Sequence, residues 1–340
     1  MALTAAQALH KLLDRIDLTR GEMLDVMHQV MRGEYTPAQM AGILIALRMK
    51  GETVDEIAAA AEVMRELSTK VKVATDEHLV DTCGTGGDGI QTFNVSTVCA
   101  FVAAAAGAKV AKHGGRSVSS TCGSVDVLEA LGVNVNLTPE QVAKCVDEIG
   151  IGFMFAPNHH NAMKHAAPVR RELGVRTLFN LLGPLTNPAG AKRQVMGVFD
   201  RALTGKLARV LKQLGSEHVL VVHGADGMDE ISFAGDTYVA ELKNGEVTEY
   251  VLNPQQFSMG LHQAESIRVQ NAEESKAMIL AVLDGQFGPA RDIVLLNAGA
   301  AIYVAGVAES LQDGITKAVH TIDNGSAKEK LAELIQASST

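Results

Sequence analysis

Cysteine is scarce in this 340-residue chain, and the four present (Cys83, Cys99, Cys122 and Cys145) form neither a CxxC pair nor a dense framework. A disulfide scaffold is therefore excluded, and the four read as reduced thiols of a cytoplasmic protein. Long apolar runs are also missing. The best candidate, residues 98–106, is mostly alanine and too short to span a bilayer, so no membrane association is expected. The N-terminus has no basic stretch followed by an unbroken apolar block, so no signal peptide is expected. Positive charge is in deficit, with a net charge of −9. That balance argues against a large nucleic-acid footprint. Any phosphate ligand must then be held by a local basic cluster. No G-x-x-x-x-G-K-S/T motif is present, which disfavours a P-loop NTPase. There is no internal repeat, low-complexity tract or long linker.

What remains is a chain of ordinary soluble-enzyme composition, 47% hydrophobic and 20% charged, long enough for two domains. Residues 1 to about 70 read as helical. Thr19 with Glu22, Thr36 with Gln39, and Thr53 with Glu56 form capping boxes. Pro37 suits a first helical position, and Met40, Ile43, Leu44 and Leu47 repeat at helical spacing. From about residue 75 strands alternate with helices. Strands are expected at 78–82, 109–112, 133–137, 151–155, 195–199 and 219–223, and helices at 96–106 and 124–131, with another opened by Thr138, Pro139 and Gln141. This rhythm predicts an α/β domain with a mainly parallel central sheet. A basic helix over 163–173 interrupts it, and Lys243-Asn244-Gly245-Glu246 reads as a hairpin turn.

The chemistry centres on Asp81-Thr82-Cys83-Gly84-Thr85-Gly86-Gly87-Asp88-Gly89. Glycines let backbone N–H groups close on an anion. Asp88 in such a loop implies a ligand with hydroxyls or bound metal besides phosphate. Gly84, Gly86 and Gly89 fit G-x-G-x-x-G, but a dinucleotide fold needs an acid at the next strand end. Here that strand ends in Lys112-His113-Gly114-Gly115-Arg116. Asn94-Val95-Ser96-Thr97 at a helix start offers a second anion site. Lys112 and Arg116 suit phosphate, and Ser117, Ser119 and Ser120 add small donors. Asp229 and Glu230, after a further strand, are hard oxygen ligands suited to Mg²⁺. Arg170 and Arg171, with His159, His160 and His165, form a third basic cluster. Its histidines lack the i,i+4 spacing of a helical zinc pair, so an arginine recognising an acidic co-substrate is the better reading.

Together these segments resemble the anthranilate phosphoribosyltransferases of tryptophan biosynthesis. The matching stretches are 81–89, 92–97, 112–120, 170–171, 180–188 and 226–230. The resemblance implies a class II phosphoribosyltransferase fold, shared with nucleoside phosphorylases. It implies a helical, dimerising domain of residues 1–72 plus part of 160–185, and an α/β domain from the rest of 73–340. It assigns phosphoribosyl pyrophosphate to Gly84, Gly87, Asp88, Thr92, Asn94, Val95, Ser96 and Thr97. Lys112, His113, Gly114, Gly115, Arg116, Ser117, Val118, Ser119, Ser120 and Ser124 continue that site. Anthranilate falls to Gly84, Gly115 and Arg170, and two Mg²⁺ per subunit to Ser96, Asp229 and Glu230. His113 is the nearest candidate for a general base. A homodimer is expected, and association with anthranilate synthase subunits stays open.

Two positions depart from the family pattern: Gly115 replaces the usual Asn, and Asn161 the usual Pro. Two rivals share the fold. A pyrimidine nucleoside phosphorylase would need no acid pair, and a non-catalytic nucleic-acid-binding relative should carry a basic surface.

Overall fold

The computed structural model describes residues 3–116 and 122–339. Helices α1 (Ala5–Leu13), α2 (Arg20–Arg32), α3 (Pro37–Lys50) and α4 (Val54–Glu66) open the chain. Strand β1 (Leu79–Gly84), α5 (Val95–Ala105), β2 (Lys109–Gly114), α6 (Ser124–Ala130), α7 (Pro139–Ile149) and β3 (Ile151–Phe155) follow. Short helices α8 (Ala156–His159), α9 (Ala166–Leu173) and α10 (Phe179–Leu182) come next. The alternation resumes with β4 (Arg193–Gly197), α11 (Leu203–Gln213) and β5 (His218–Gly224), then β6 (Thr237–Lys243) and β7 (Glu246–Leu252). Helices α12 (Ala272–Leu283), α13 (Pro289–Val304), α14 (Leu311–Asp323) and α15 (Ser326–Ser338) close it.

The chain divides into two compact units, residues 1–69 with 157–188, and 70–156 with 189–340. In the helical unit the Thr19, Thr36 and Thr53 capping boxes all form, and a further one joins Thr4 to Gln7. Met40, Ile43, Leu44 and Leu47 are buried on one face of α3. Glu56 is both a capping residue and fully buried. Its carboxylate accepts from Leu18 N at 2.9 Å, Thr53 N at 2.8 Å and Lys50 Nζ at 2.8 Å.

The second unit is built, among the described residues, on a seven-stranded sheet in the order β3-β2-β1-β4-β5-β6-β7. The first five strands are parallel, and β6 and β7 add an antiparallel edge. The α/β class expected from the alternation is present. Asn244 and Gly245 turn the hairpin with positive φ at both positions, as a tight two-residue turn requires. The strand order reverses between β1 and β4, where open α/β sheets leave a crevice at their C-terminal ends. Among the described residues no helix is long and apolar enough to cross a membrane.

Two expected elements differ. Residues 133–137 are not a strand. Val133, Val135 and Leu137 are buried alternately as anticipated, but the backbone bonds elsewhere. Asn134 N donates to Ser338 Oγ at 3.1 Å, and Asn136 N to Asn134 Oδ1 at 3.0 Å. Alternation reports one-sided burial, which an extended loop shares with a strand. The basic helix over 163–173 is also broken. A 3₁₀ turn at Asn161–Lys164 precedes α9. Pro168 in the first turn of α9 is tolerated because the N–H groups there have no intrahelical acceptor, but it cannot sit deep in a longer helix.

Candidate active site

Three loops leave the C-terminal ends of β1, β2 and β5 within the α/β unit. The first begins at Gly84. Gly86, Gly87 and Gly89 take positive φ of 63°, 79° and 78°, which turns the backbone sharply. Its far end is pinned to a neighbouring segment: Phe93 N donates to Ile267 O, Val269 N to Gln91 O, and Thr92 bridges to Arg268.

The far end of the glycine loop feeds α5. Its N-cap, Asn94, makes no side-chain bond to its own helix. Ser96 Oγ accepts from Lys112 Nζ at 3.1 Å. Lys112 is buried at 3% exposure on β2 and also donates to the Thr82 carbonyl. A buried ammonium thus lies between the end of β1 and the start of α5. His113 follows it on the strand, and its N–H donates to the buried Asp81 at 3.2 Å. Val95 and Thr97 are buried at 1% each, and Thr97 Oγ1 has no partner among the described residues.

The third loop carries Asp229 and Glu230 between two fully buried residues, Met228 and Ile231. Asn297 of α13 clamps the loop from beneath. Its Oδ1 accepts from Ile231 N at 2.8 Å, and its Nδ2 donates to Ile231 O at 2.9 Å. Gly86 N donates to Asp229 Oδ2 at 2.8 Å. A Cβ on Gly84 would meet that same oxygen at 2.5 Å. The glycine loop and the acid pair, 143 residues apart in sequence, are therefore in direct contact.

Electrostatics at this junction are strained. Burial, and then the neighbouring Asp88, push the Asp229 carboxyl up to about 7. Burial, and then Asp229, push Glu230 well above the usual carboxylate range, against the pull of Lys112. Asp88 Oδ1 accepts from Ile90 N, while its buried Oδ2 has no donor among the described residues. Carboxylates gathered with too few donors call for a cation. The hard oxygen set fits Mg²⁺. Among the described residues no group of three or more His, Cys, Asp or Glu side chains is arranged to hold a metal unaided. An ion held here would complete its shell with water and ligand oxygens, which is the habit of Mg²⁺.

The structure thus brings Gly84, Asp88, Ser96, Lys112, Asp229 and Glu230 to one end of the sheet. Ser124 starts α6 beside Gly114, whose Cβ would meet Ser124 Cβ at 3.3 Å. Gly115 has nothing within 4 Å of a Cβ position. Arg116 turns away into an ion cluster, bonding Asp126 at 2.8 Å and both oxygens of Glu129 at 2.8 Å. Ser117, Val118, Ser119 and Ser120 lie outside the described residues.

Arg170 belongs to the helical unit, stacked over the Phe179 ring at 5.3 Å. It has no ion pair among the described residues, and burial lowers its pKa. The basic cluster drawn around it disperses. His159 and His160 are buried at 1% and 8%, with His159 Nδ1 against Thr69 O at 3.0 Å. His165 packs its ring on Gly33. Sequence reasoning gave Ser275 and Asn297 no role, and it named Asp81 only as the start of the glycine loop. A buried-looking Asn amid α13 was the one available signal.

Two family models match the chain, the glycosyl transferase family helical bundle domain over residues 6–68 and its a/b domain over 76–328. The anthranilate phosphoribosyltransferase of Methylobacillus flagellatus is 69% identical over 98% of both chains. That of Laribacter hongkongensis is 64% identical, again over 98% of both. Among solved structures, the anthranilate phosphoribosyltransferase of Thermus thermophilus superposes with a TM-score of 0.92 at 43% identity, covering 98% of this chain and 99% of that one. The Saccharomyces cerevisiae enzyme in complex with PRPP and Mg gives 0.84 at 27% identity, covering 99% and 94%. The chain belongs to the anthranilate phosphoribosyltransferase family.

Proposed function

We infer that this protein transfers the phosphoribosyl group of phosphoribosyl pyrophosphate to the amine of anthranilate. The products are N-(5-phosphoribosyl)anthranilate and pyrophosphate, a step of tryptophan biosynthesis. The observation that carries the reading is the Gly86–Asp229 contact, which joins a glycine loop to an acid pair beside a buried lysine. A diphosphate with its cation needs those three elements together. A phosphorolytic enzyme has no use for the acids, and the net charge of −9 does not suit a nucleic-acid-binding relative.

In this reading Gly84, Gly87, Asp88, Thr92 and residues 94–97 bind the phosphoribosyl substrate, with Lys112 as a fixed positive charge. His113, Gly114, Gly115, Arg116, residues 117–120 and Ser124 continue the site. Arg116 must leave Asp126 and Glu129 to reach a phosphate. Ser96, Asp229 and Glu230 hold Mg²⁺, two ions per subunit. Bound there, Mg²⁺ stabilises charge growing on the departing pyrophosphate. Arg170, with no carboxylate partner among the described residues, takes that of anthranilate, and Gly84 and Gly115 border the ring. The reaction needs the weak aryl amine aligned with ribose C1 as the leaving group departs, so positioning carries much of the catalysis. Pairing as a homodimer through the helical unit and a cytoplasmic location complete the proposal. Free cysteines support the latter.

The test mixes protein, Mg²⁺, phosphoribosyl pyrophosphate and anthranilate, and follows loss of anthranilate fluorescence. Turnover is expected, and it should need the metal. Folded, Mg²⁺-supplied protein without turnover would overturn the reading. So would an Asp229→Asn, Glu230→Gln double variant that kept full rate and metal dependence.

A further inference from the structure

Every threonine that caps a helix of this chain, and Asn271 and Ser310 as well, bonds a backbone N–H of its own first turn. Asn94 does not, although it caps α5, the helix that opens the candidate phosphate site. Its side chain is committed elsewhere. Ser275, fully buried in the first turn of α12, accepts from Asn94 N at 3.1 Å and donates its hydroxyl proton to Asn94 Oδ1 at 2.7 Å. On the other side Cys122 Sγ donates to the same oxygen at 3.2 Å, and Asn94 Nδ2 donates to the Cys122 carbonyl at 3.2 Å.

We propose that Ser275 is a positioning residue for the phosphoribosyl substrate, acting by locking the Asn94 side chain as a hydrogen-bond donor. A hydroxyl has one proton. Ser275 Oγ accepts the Asn94 N–H through a lone pair and gives its own proton to Oδ1. The amide oxygen takes the Ser275 proton, and a flipped amide would set Oδ1 against the Cys122 carbonyl, which can only accept. Nδ2 spends one proton on Cys122 O and keeps a second. The group left for a ligand is a donor, which a phosphate oxygen needs and an amide oxygen would repel. The same bonds tie the start of α5 to Cys122, so the Ser275 hydroxyl orders two walls of the site at once.

This proposal rests on Asn94 contacting the phosphoribosyl substrate, and the experiment separates the two claims. Steady-state kinetics are measured with each substrate varied for Ser275→Ala, Ser275→Cys, Asn94→Ala and the Ser275→Ala, Asn94→Ala double variant. Removing one well-made bond should raise the KM for phosphoribosyl pyrophosphate about tenfold in Ser275→Ala. The KM for anthranilate and kcat should stay within about twofold, because only substrate binding is touched. Ser275→Cys, with a weaker donor, should fall between, and it decides the matter if the alanine variant does not fold. The double variant should match Asn94→Ala, since Ser275 acts only through Asn94. An unchanged KM in Ser275→Ala, beside a raised one in Asn94→Ala, overturns the proposal and leaves the substrate reading standing. An unchanged KM in Asn94→Ala overturns the substrate reading, and this one with it. A uniform loss of kcat and of both KM values, tracking a fall in Tm, overturns it in favour of a purely structural serine.

Discussion

The backbone carbonyl of Asp229 lies where a Cβ on Gly197 would stand. Gly197 ends β4 beside Gly84 at the end of β1, and the two are paired in register. Two adjacent strand ends without side chains let the acid loop descend onto the sheet. Gly197→Ala must therefore displace the Asp229 backbone, which cannot yield as a flexible side chain would. Misplacing a site by about 1 Å costs about 100-fold in rate. A loss of that order in kcat/KM for phosphoribosyl pyrophosphate is expected. Far-UV circular dichroism should be unchanged. Full activity in the variant would show that the loop position is not needed.

Gly115→Asn puts at this position the asparagine that the sequence resemblance leads one to expect. No atom lies within 4 Å of the added Cβ, so the change should leave stability within about 0.5 kcal/mol. One new hydrogen bond to anthranilate lowers its KM by about two- to tenfold, with the KM for phosphoribosyl pyrophosphate unchanged. Titrating each substrate separately checks this, and a KM shift confined to the other substrate would refute the assignment of Gly115.

Glu56→Ala should destabilise the helical unit by about 3–5 kcal/mol, because it strips a buried charge of its partner. Lys50 has a side chain only 3% exposed and would keep only the exposed Asp17 and the Gly51 carbonyl. The Leu18 and Thr53 N–H groups would lose their acceptor as well. A urea midpoint for the helical signal, read beside a separate signal for the α/β unit, measures it. A loss under about 1 kcal/mol would mean that the pair is replaced by water.

Burial lowers the pKa of His159, against the favourable Thr69 carbonyl. The folded state thus binds the proton less readily than the unfolded chain, whose value is near 6.5. Stability from the neutral ring is complete above that value and is lost as pH falls below it, until the folded-state pKa is passed. His159→Gln should flatten the decline of Tm between about pH 7 and pH 5. Equal slopes in both proteins would exclude His159 as a source of acid sensitivity.

Local chemistry was legible in the sequence wherever neighbours in the chain decide the outcome. Thr19, Thr36, Thr53 and Thr138 announced their helices, because a capping box closes within four residues. The strand–helix rhythm announced the parallel sheet. Where the outcome depends on a distant acceptor, it was not legible. Val133, Val135 and Leu137 alternate like a strand, but Ser338 takes the Asn134 backbone bond that a ladder would have made.

The opposite fates of Lys112 and Arg116 show the same limit at the site. Both are basic residues near the end of β2, four apart in sequence. One is buried between Thr82 and Ser96, while the other bonds Asp126 and Glu129 at the surface. By itself the sequence determined which groups were available: a glycine loop, an acid pair, a lysine and a helix start carrying Asn94. Only the tertiary structure decided which of them meet. Gly84 and Gly197 admit Asp229, Asn297 clamps its loop, and Ser275 turns Asn94, because close approach and donor counting act between residues that the chain itself keeps far apart.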